Sequence, residues 1–182
     1  MKKIITPLTD SVIEGLRTGE TIYLSGVIYT ARDMAHKKMN ELIDKGLKLP
    51  FDLRGAVIYY AGPTPAPKGK VVGSIGPTSS YRMDKITPGL LQMGLKGMIG
   101  KGKRSPDIRE KIKQFNAVYF AAVGGAAVTI SETVKSCKII AFPELGTEAV
   151  RELVVEKLPL IVADDMYGGD IFEEGENKYK KV

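Results

Sequence analysis

The sequence predicts a mixed α/β domain in which strands and helices pack in layers. Segments rich in β-branched and aromatic residues, such as 21–31 (TIYLSGVIYTA) and 117–123 (AVYFAAV), are typical of strands. They alternate with segments of helical spacing, such as 32–46 (RDMAHKKMNELIDKG) and 105–115 (SPDIREKIKQF). This alternation indicates a layered α/β or α+β protein. The strand-rich first half argues against a purely doubly wound sheet.

In the first half, the strand at 21–31 leads directly into a helix, for which Gly46 is a typical C-terminal stop. Two further strands are predicted at 55–63 (GAVIYYAGP) and 70–77 (KVVGSIGP), and a Gly-Pro pair ends each. The proline-rich stretch between them is short, so it is interpreted as a turn within one domain.

In the second half, a helix is predicted from Pro88 to Leu95, before a short apolar stretch that becomes glycine-rich and basic at 96–105 (KGMIGKGKRS). Ser105 and Pro106 then mark the start of a helix, as a cap and a first-turn proline. The remaining predicted elements are a glycine-led helix within 124–136 and strands at 138–144 (KIIAFPE) and 158–165 (LPLIVADD).

The length of 182 residues suits a single domain, 1–182, and residues 173–182 are expected to fray because they are polar and acidic. No apolar run approaches the ~20 residues of a membrane span, and the start MKKIITPLTDSV lacks the apolar core of a secretory signal. We therefore expect a cytoplasmic location.

The chain has one cysteine, Cys137, and one histidine, His36. These numbers exclude an intrachain disulfide and a cluster of the usual protein metal ligands. If the chemistry involves a metal centre, another chain must hold most of it. Cys137 is interpreted as a small core residue. His36 is interpreted as a structural hydrogen-bonding residue, with catalysis as the alternative.

The formal net charge of +6 favours an anionic partner, either nucleic acid or a small carboxylate or phosphate. Arg32, Arg82, Lys101 and Arg104 all lie next to strand ends or helix starts. Backbone N–H groups are exposed at such places and bind anions. Guanidinium groups add two-pronged contacts to carboxylates, so two separate arginines would suit a dicarboxylate.

Simpler interpretations of the same residues remain open at this point. Arg32 could pair locally with Asp33 or Glu41, and Arg82 could pair with Asp84 to fasten a turn. The hydroxyls of residues 78–80 could serve only as caps. Two function classes without catalysis also remain. One is a basic nucleic-acid-binding module, although its usual mixture of aromatic and basic residues is missing. The other is a stand-alone anion-binding domain.

Several motifs resemble those of a known family. They are LSGVIYTARDMAH, YYAGPTPAPKGKVVGSIGPTSSYRMD, KGMIGKGKRS, AAVGGAAVTI and FPELGTEAV, which follow one another from about residue 5 to residue 172. In this order they are similar to the β subunit, or C-terminal domain, of class I fumarate hydratase and tartrate dehydratase, the iron–sulfur hydro-lyases. The pair ARDxAH and GPTxSxRMD is the most specific part of the match.

The resemblance implies a swivelling β/β/α layered domain that packs over a larger α subunit, in a homo- or hetero-oligomer. The α subunit would hold a [4Fe–4S] cluster, which agrees with the lack of cysteine motifs here. The implied reaction is the reversible hydration of fumarate to malate, a step of the tricarboxylic acid cycle, with the corresponding tartrate reaction as the alternative. Neither nucleic acid nor a membrane is implied as a partner.

Roles transfer to four residues through the matching motifs. Arg32 and Arg82 match substrate-carboxylate-binding arginines. Thr78 matches the proposed catalytic base, and Lys101 matches the active-site lysine, with Lys103 as a rival because the local text is GKGKR. The stretch 79–81, Ser-Ser-Tyr, departs from the threonine, small residue and glycine of many members, so Tyr81 could alter the shape of the loop.

Overall fold

The computed structural model describes residues 1–123 and 126–180, and within these ranges it contains seven strands and six α-helices. The strands are β1 (Lys2–Ile5), β2 (Thr21–Thr30), β3 (Val57–Tyr59), β4 (Gly97–Gly100), β5 (Val118–Ala121), β6 (Val134–Ala141) and β7 (Val150–Asp164). The α-helices are α1 (Asp10–Glu14), α2 (Asp33–Asp44), α3 (Pro88–Gln92), α4 (Pro106–Gln114), α5 (Ala127–Glu132) and α6 (Ile171–Tyr179). Two 3₁₀ segments, Ser80–Met83 and Pro143–Glu148, complete the secondary structure of the described residues.

The sheet closes on itself through β2 and β7. Strands β1 to β5 pair in chain order and are all parallel, with β2 next to both β1 and β3. The long strand β7 runs antiparallel to β5, β6 and β2. The path β2-β3-β4-β5-β7 therefore returns to β2, and β1 and β6 extend the sheet beyond this closed part.

Alternating residues of the strands divide the core into two layers. On β3, Val57 and Tyr59 belong to an apolar cluster formed mainly by residues of the sheet itself. Ile58 and the following Tyr60 belong to a second cluster, in which the sheet packs against helices α2, α3 and α4. This alternation is the period of two that a strand imposes on its side chains. The mixed α/β class predicted from the sequence is confirmed, and the two clusters give a sheet–sheet–helix layering.

Several of the predicted elements differ from the structure. Residues 134–136 of the predicted helix belong to β6, and the predicted strand at 158–165 is the end of the longer strand β7. Residues 70–77 do not form a strand, because the chain there folds back on residues 64–65: the Thr64 N–H donates to Ser74 O at 3.0 Å, and a Cβ at Gly73 would lie 2.6 Å from Thr64 O. Helix α3 ends at Gln92, before the predicted Leu95, and strand β6 begins before the predicted 138. Gly124 and Gly125 of the predicted glycine-led helix lie outside the described residues.

The C-terminal segment is helical through Tyr179, whereas the sequence indicated fraying from residue 173. The side chain of Asp170 accepts hydrogen bonds from the backbone N–H groups of Phe172 and Glu173, which stabilises the first turn of α6. Residues 181–182 of the predicted tail lie outside the described range. None of the helices in the described part of the chain is long and apolar enough to span a membrane.

Candidate functional site

The predicted site residues lie at the carboxyl ends of the parallel strands. Arg32 follows β2 and occupies the N-cap position of α2. Lys101 follows β4 directly, and β3 continues into Gly62. Because parallel strands end on the same edge of a sheet, chain segments that are far apart in sequence meet there, and this edge is where ligands bind in many α/β proteins.

Arg32 and Arg82 meet at one carboxylate, that of Asp33. Arg82 donates two hydrogen bonds to it, from Nε to Oδ1 at 3.0 Å and from Nη2 to Oδ2 at 2.7 Å. Arg32 Nη2 lies 3.8 Å from the same Oδ2. Residues 32 and 82 are thus brought together, as a dicarboxylate site requires. The predicted alternative in which Arg82 pairs with Asp84 is wrong, because Arg82 pairs with Asp33.

The guanidinium group of Arg32 has no hydrogen-bond partner in the described part of the chain. Its Nη2 atom lies 3.8 Å from Asp33 Oδ2 and 3.7 Å from Glu148 Oε1. Both distances are short enough for an ion pair but too long for a hydrogen bond. Its Nε atom is buried and unpartnered. Of the two local partners expected for Arg32, Asp33 is confirmed at ion-pair distance, and Glu41 is wrong, since Glu148 is the second acidic neighbour. A half-buried guanidinium with unused donors can accept an anion readily.

The absence of a side chain at Gly62 leaves space for the guanidinium group of Arg32. A Cβ at this position would lie 2.9 Å from Thr147 O and 3.3 Å from Arg32 Nη1, so a side chain could fit only if its neighbours moved. Glu148, at the end of the 3₁₀ segment Pro143–Glu148, also accepts a hydrogen bond from Met34 N at 3.0 Å. The segment FPELGTEAV therefore forms one wall around Arg32.

Thr78 and Lys101 are neighbours through their backbones. Thr78 N donates to Tyr60 O at 2.7 Å, Lys101 N donates to Thr78 O at 3.3 Å, and Ser80 N donates to Lys101 O at 3.0 Å. Residues 78–80 therefore run beside the end of β4. Thr78 is half-buried and Lys101 is exposed.

The two candidate lysines differ in their partners. Lys103 Nζ lies 3.5 Å from Glu176 Oε2 on α6, so its charge has a partner away from Thr78. Lys101 forms no ion pair with any described residue. This difference favours Lys101 over Lys103, although the roles of both remain predictions.

Arg104, which the sequence grouped with the accessible cations, is buried instead. It is 2% exposed, and its Nε donates to Asp84 Oδ1 at 2.6 Å. Asp84 Oδ2 also accepts from Ser105 N at 2.7 Å. Arg104 therefore does not face a ligand. It ties the 3₁₀ turn Ser80–Met83, which carries Arg82, to the loop that carries Lys101.

His36 and Tyr81 have very different surroundings. His36 is fully buried one turn into α2, its Nδ1 lies 3.0 Å from Arg32 O, and its Nε2 has no hydrogen-bond partner among the described residues. Burial lowers the pKa of His36 to about 4, and the positive charge of Arg104 adds to this effect. These contacts fit a neutral structural histidine that donates to the backbone of Arg32. Tyr81 is 67% exposed beside Arg82.

The residues present do not fit a metal cluster. The described chain contains no group of three or more His, Cys, Asp or Glu that could hold a metal ion. Cys137 is half-buried, lines an apolar groove with Val72, Ile139 and Pro143, and burial raises the pKa of its thiol. A high pKa disfavours the thiolate that binds iron.

Comparison with known proteins gives consistent results. A family model described as the fumarase C-terminus matches residues 2–175. A Methanocaldococcus jannaschii protein, provisionally named L(+)-tartrate dehydratase subunit beta, is 39% identical over 100% of this chain and 97% of its own length. The anaerobic class I fumarate hydratase of Escherichia coli is 37% identical over 98% of this chain, and the L(+)-tartrate dehydratase subunit beta of the same species is 32% identical over 98%. This chain spans 32% of the fumarate hydratase and 90% of the tartrate dehydratase subunit.

Proposed function

The chain belongs to the fumarase C-terminus family, and we propose that it is the β subunit of an iron–sulfur-dependent hydro-lyase that hydrates fumarate to malate reversibly. The observation that carries this proposal is the convergence of Arg32 and Arg82 on Asp33, where the Arg32 guanidinium group donates no hydrogen bond to any described residue. Two guanidinium groups at one point form a receptor for a small dianion. The relatives named as hydro-lyases supply the reaction class.

In this proposal, the arginines bind the substrate and stabilise charge. Dehydration of malate removes a weakly acidic C–H proton beside a carboxylate, and negative charge builds up on that carboxylate in the transition state. Arg32 and Arg82 are already in place to offset this charge, so little reorganisation is needed during the reaction. The half-buried position of Arg32 strengthens its interaction with the developing charge.

Thr78 is proposed as the base that takes the proton. A threonine hydroxyl is a weak base in water, so its deprotonated form must be stabilised by neighbours. Lys101 is the proposed neighbour. The backbone contact between Thr78 O and Lys101 N and the lack of an ion pair for Lys101 among the described residues support this assignment.

The [4Fe–4S] cluster is proposed to reside on an α subunit, where it would act as a Lewis acid toward the leaving hydroxyl. Such an arrangement requires assembly of this chain with that subunit, and the names of the β-subunit relatives support it. We also propose that the assembly works in the cytoplasm. Tartrate is the second candidate substrate, because the relatives that match this chain along nearly their whole length are named for tartrate.

The proposal is tested by anaerobic reconstitution of the chain with its α subunit and assay against malate, fumarate and both tartrate enantiomers. We expect turnover of malate and fumarate, with kcat/KM reduced by about 100-fold or more in Arg32→Ala and Arg82→Ala. Turnover of tartrate alone would select the second candidate. Near-normal activity of both variants would contradict the proposal, and tight, steeply salt-dependent binding of DNA by an inactive pair would favour a nucleic-acid-binding module.

A further inference from the structure

Asp33 lies at the centre of the arginine pair, and its contacts differ on the two sides. Toward Arg82 it accepts a two-pronged hydrogen bond from Nε and Nη2. Toward Arg32 it stands at 3.8 Å, close enough to offset the charge without a hydrogen bond. Its side chain is 22% exposed, so water screens these interactions only in part. One carboxylate thus balances two cations that would otherwise repel each other.

The geometry of the Arg82 pair leaves one edge of the guanidinium group available. An arginine has two edges that can bind a carboxylate with two bonds, the Nε/Nη2 edge and the Nη1/Nη2 edge. Asp33 occupies the first edge, and Nη1 donates to no described residue. The carboxylate therefore fixes the plane of the guanidinium group and directs its second edge away from Asp33.

We propose that Asp33 is a positioning residue, which holds Arg82 so that its Nη1/Nη2 edge receives the substrate carboxylate. This inference depends on the function proposed above and assigns Asp33 a part in it. Asparagine cannot replace Asp33, because its amide offers one acceptor oxygen where two donors must be satisfied, and its NH₂ group would face a donor. The chain contains a matched control on the exposed surface, since Arg54 donates to Asp52 in the same way, from Nε to Oδ1 at 3.1 Å and from Nη2 to Oδ2 at 2.7 Å.

The test is a double-mutant cycle in the reconstituted enzyme with Asp33→Asn, Arg82→Ala and the double variant, and with Asp52→Asn as the control. We expect Asp33→Asn alone to reduce kcat/KM by about 10- to 100-fold, and to have almost no effect when Arg82 is already alanine. Asp52→Asn should leave kcat/KM unchanged. Equal losses from Asp33→Asn with and without Arg82 would overturn the inference, because a general structural role does not depend on Arg82.

A second measurement separates this inference from the proposed function. Proton exchange of the Arg82 Nε–H group is followed by NMR in the isolated chain, which requires no activity. We expect Asp33→Asn to accelerate this exchange by about tenfold or more, because the hydrogen bond that protects the proton is lost. Unchanged exchange would overturn the positioning role. If the wild-type two-subunit enzyme is inactive while proton exchange is faster in Asp33→Asn, the proposed function is refuted, but the hydrogen-bonded contact between Asp33 and Arg82 is supported.

Discussion

Asp164, at the end of β7, is buried with no hydrogen-bond partner for either oxygen among the described residues, so its replacement by asparagine should favour the folded state increasingly as the pH rises. Burial raises the pKa of Asp164 to about 7, and the nearby carboxylate of Asp170 raises it as well. The positive charges of Arg104 and Arg109 lower the pKa but do not outweigh these two effects. The ordinary value is 3.8. The folded protein therefore holds a proton that the unfolded chain releases between these two pH values.

The sign and size of the effect follow from this difference. Because the pKa is higher in the folded state, the contribution of Asp164 is most favourable below the unfolded value and is lost as the pH rises toward 7. Each pKa unit corresponds to about 1.4 kcal/mol, so the total loss is on the order of 4 kcal/mol. About 2 kcal/mol of it should develop between pH 5 and pH 7. The Asp164→Asn variant lacks this loss, although its buried amide costs about 1–3 kcal/mol at every pH.

The assay is urea-induced unfolding of wild type and Asp164→Asn at pH 5, 6, 7 and 8. Comparing the two proteins at each pH removes the contribution of His36, whose pKa of about 4 gives the opposite slope at acidic pH in both. We expect the unfolding free energy of the variant, relative to wild type, to rise by about 2 kcal/mol from pH 5 to pH 7. A difference that does not change with pH would refute the reasoning.

The adjacent residue provides the control. Burial acts to raise the pKa of Asp165, but hydrogen bonds donated by Thr18, Gly169 and Tyr167 outweigh it and lower the pKa below the ordinary value. Its stabilising contribution is therefore complete above about pH 5 and is lost only at lower pH. Asp165→Asn should destabilise the protein by the same amount at every pH from 5 to 8.

Two further predictions concern the frame of the site. Arg104→Met should lower the unfolding free energy by about 3–5 kcal/mol in urea unfolding, because it leaves the buried charge of Asp84 without a cation and with only the Ser105 N–H as a hydrogen-bond donor among the described residues. A loss below about 1 kcal/mol would contradict the account of that pair. Gly62→Ala should reduce kcat/KM of the reconstituted enzyme about tenfold, since its methyl group would clash with Thr147 O at 2.9 Å and crowd Arg32 Nη1 at 3.3 Å. Gly175→Ala, which meets no atom within 4 Å, should have no effect on kcat/KM and serves as its control.

The mixed α/β class and the helices α2 and α4 could be predicted because apolar spacing, Gly46 after α2 and Pro106 at the start of α4 are local signals. Ser105 occupies the N-cap position of α4, but its side chain makes no capping hydrogen bond with the described residues. The sequence does not predict strand β4, because two of its four residues are glycines, which carry no strand signal. The structure favours glycine at position 97, because a Cβ there would lie 2.8 Å from the side chain of Val57. Residues 70–77 show the opposite case. Their β-branched residues predict a strand, but the backbone of this segment hydrogen-bonds to Thr64 and does not join the sheet.

The candidate site was predictable in part. The resemblance implies that Arg32 and Arg82 meet, since both match substrate-carboxylate-binding arginines. The strand at 70–77 that the sequence predicts ahead of Arg82 does not form. The partners of these residues were not predictable: Glu148 contacts the start of α2 from 114 positions away in the sequence, and Arg104 is buried by the rings of Tyr60 and Tyr119. Such contacts depend on the packing of distant segments, and a basic residue in a glycine-rich loop gives no sign of burial.

The most direct test of the arginine pair is an NMR titration of the isolated chain with succinate, a dicarboxylate that cannot be hydrated. The Nε–H resonances of Arg32 and Arg82 should both shift with one common dissociation constant, because one dianion contacts both guanidinium groups. If only one resonance shifts, or if the two give different constants, the arginines do not form a single dicarboxylate site.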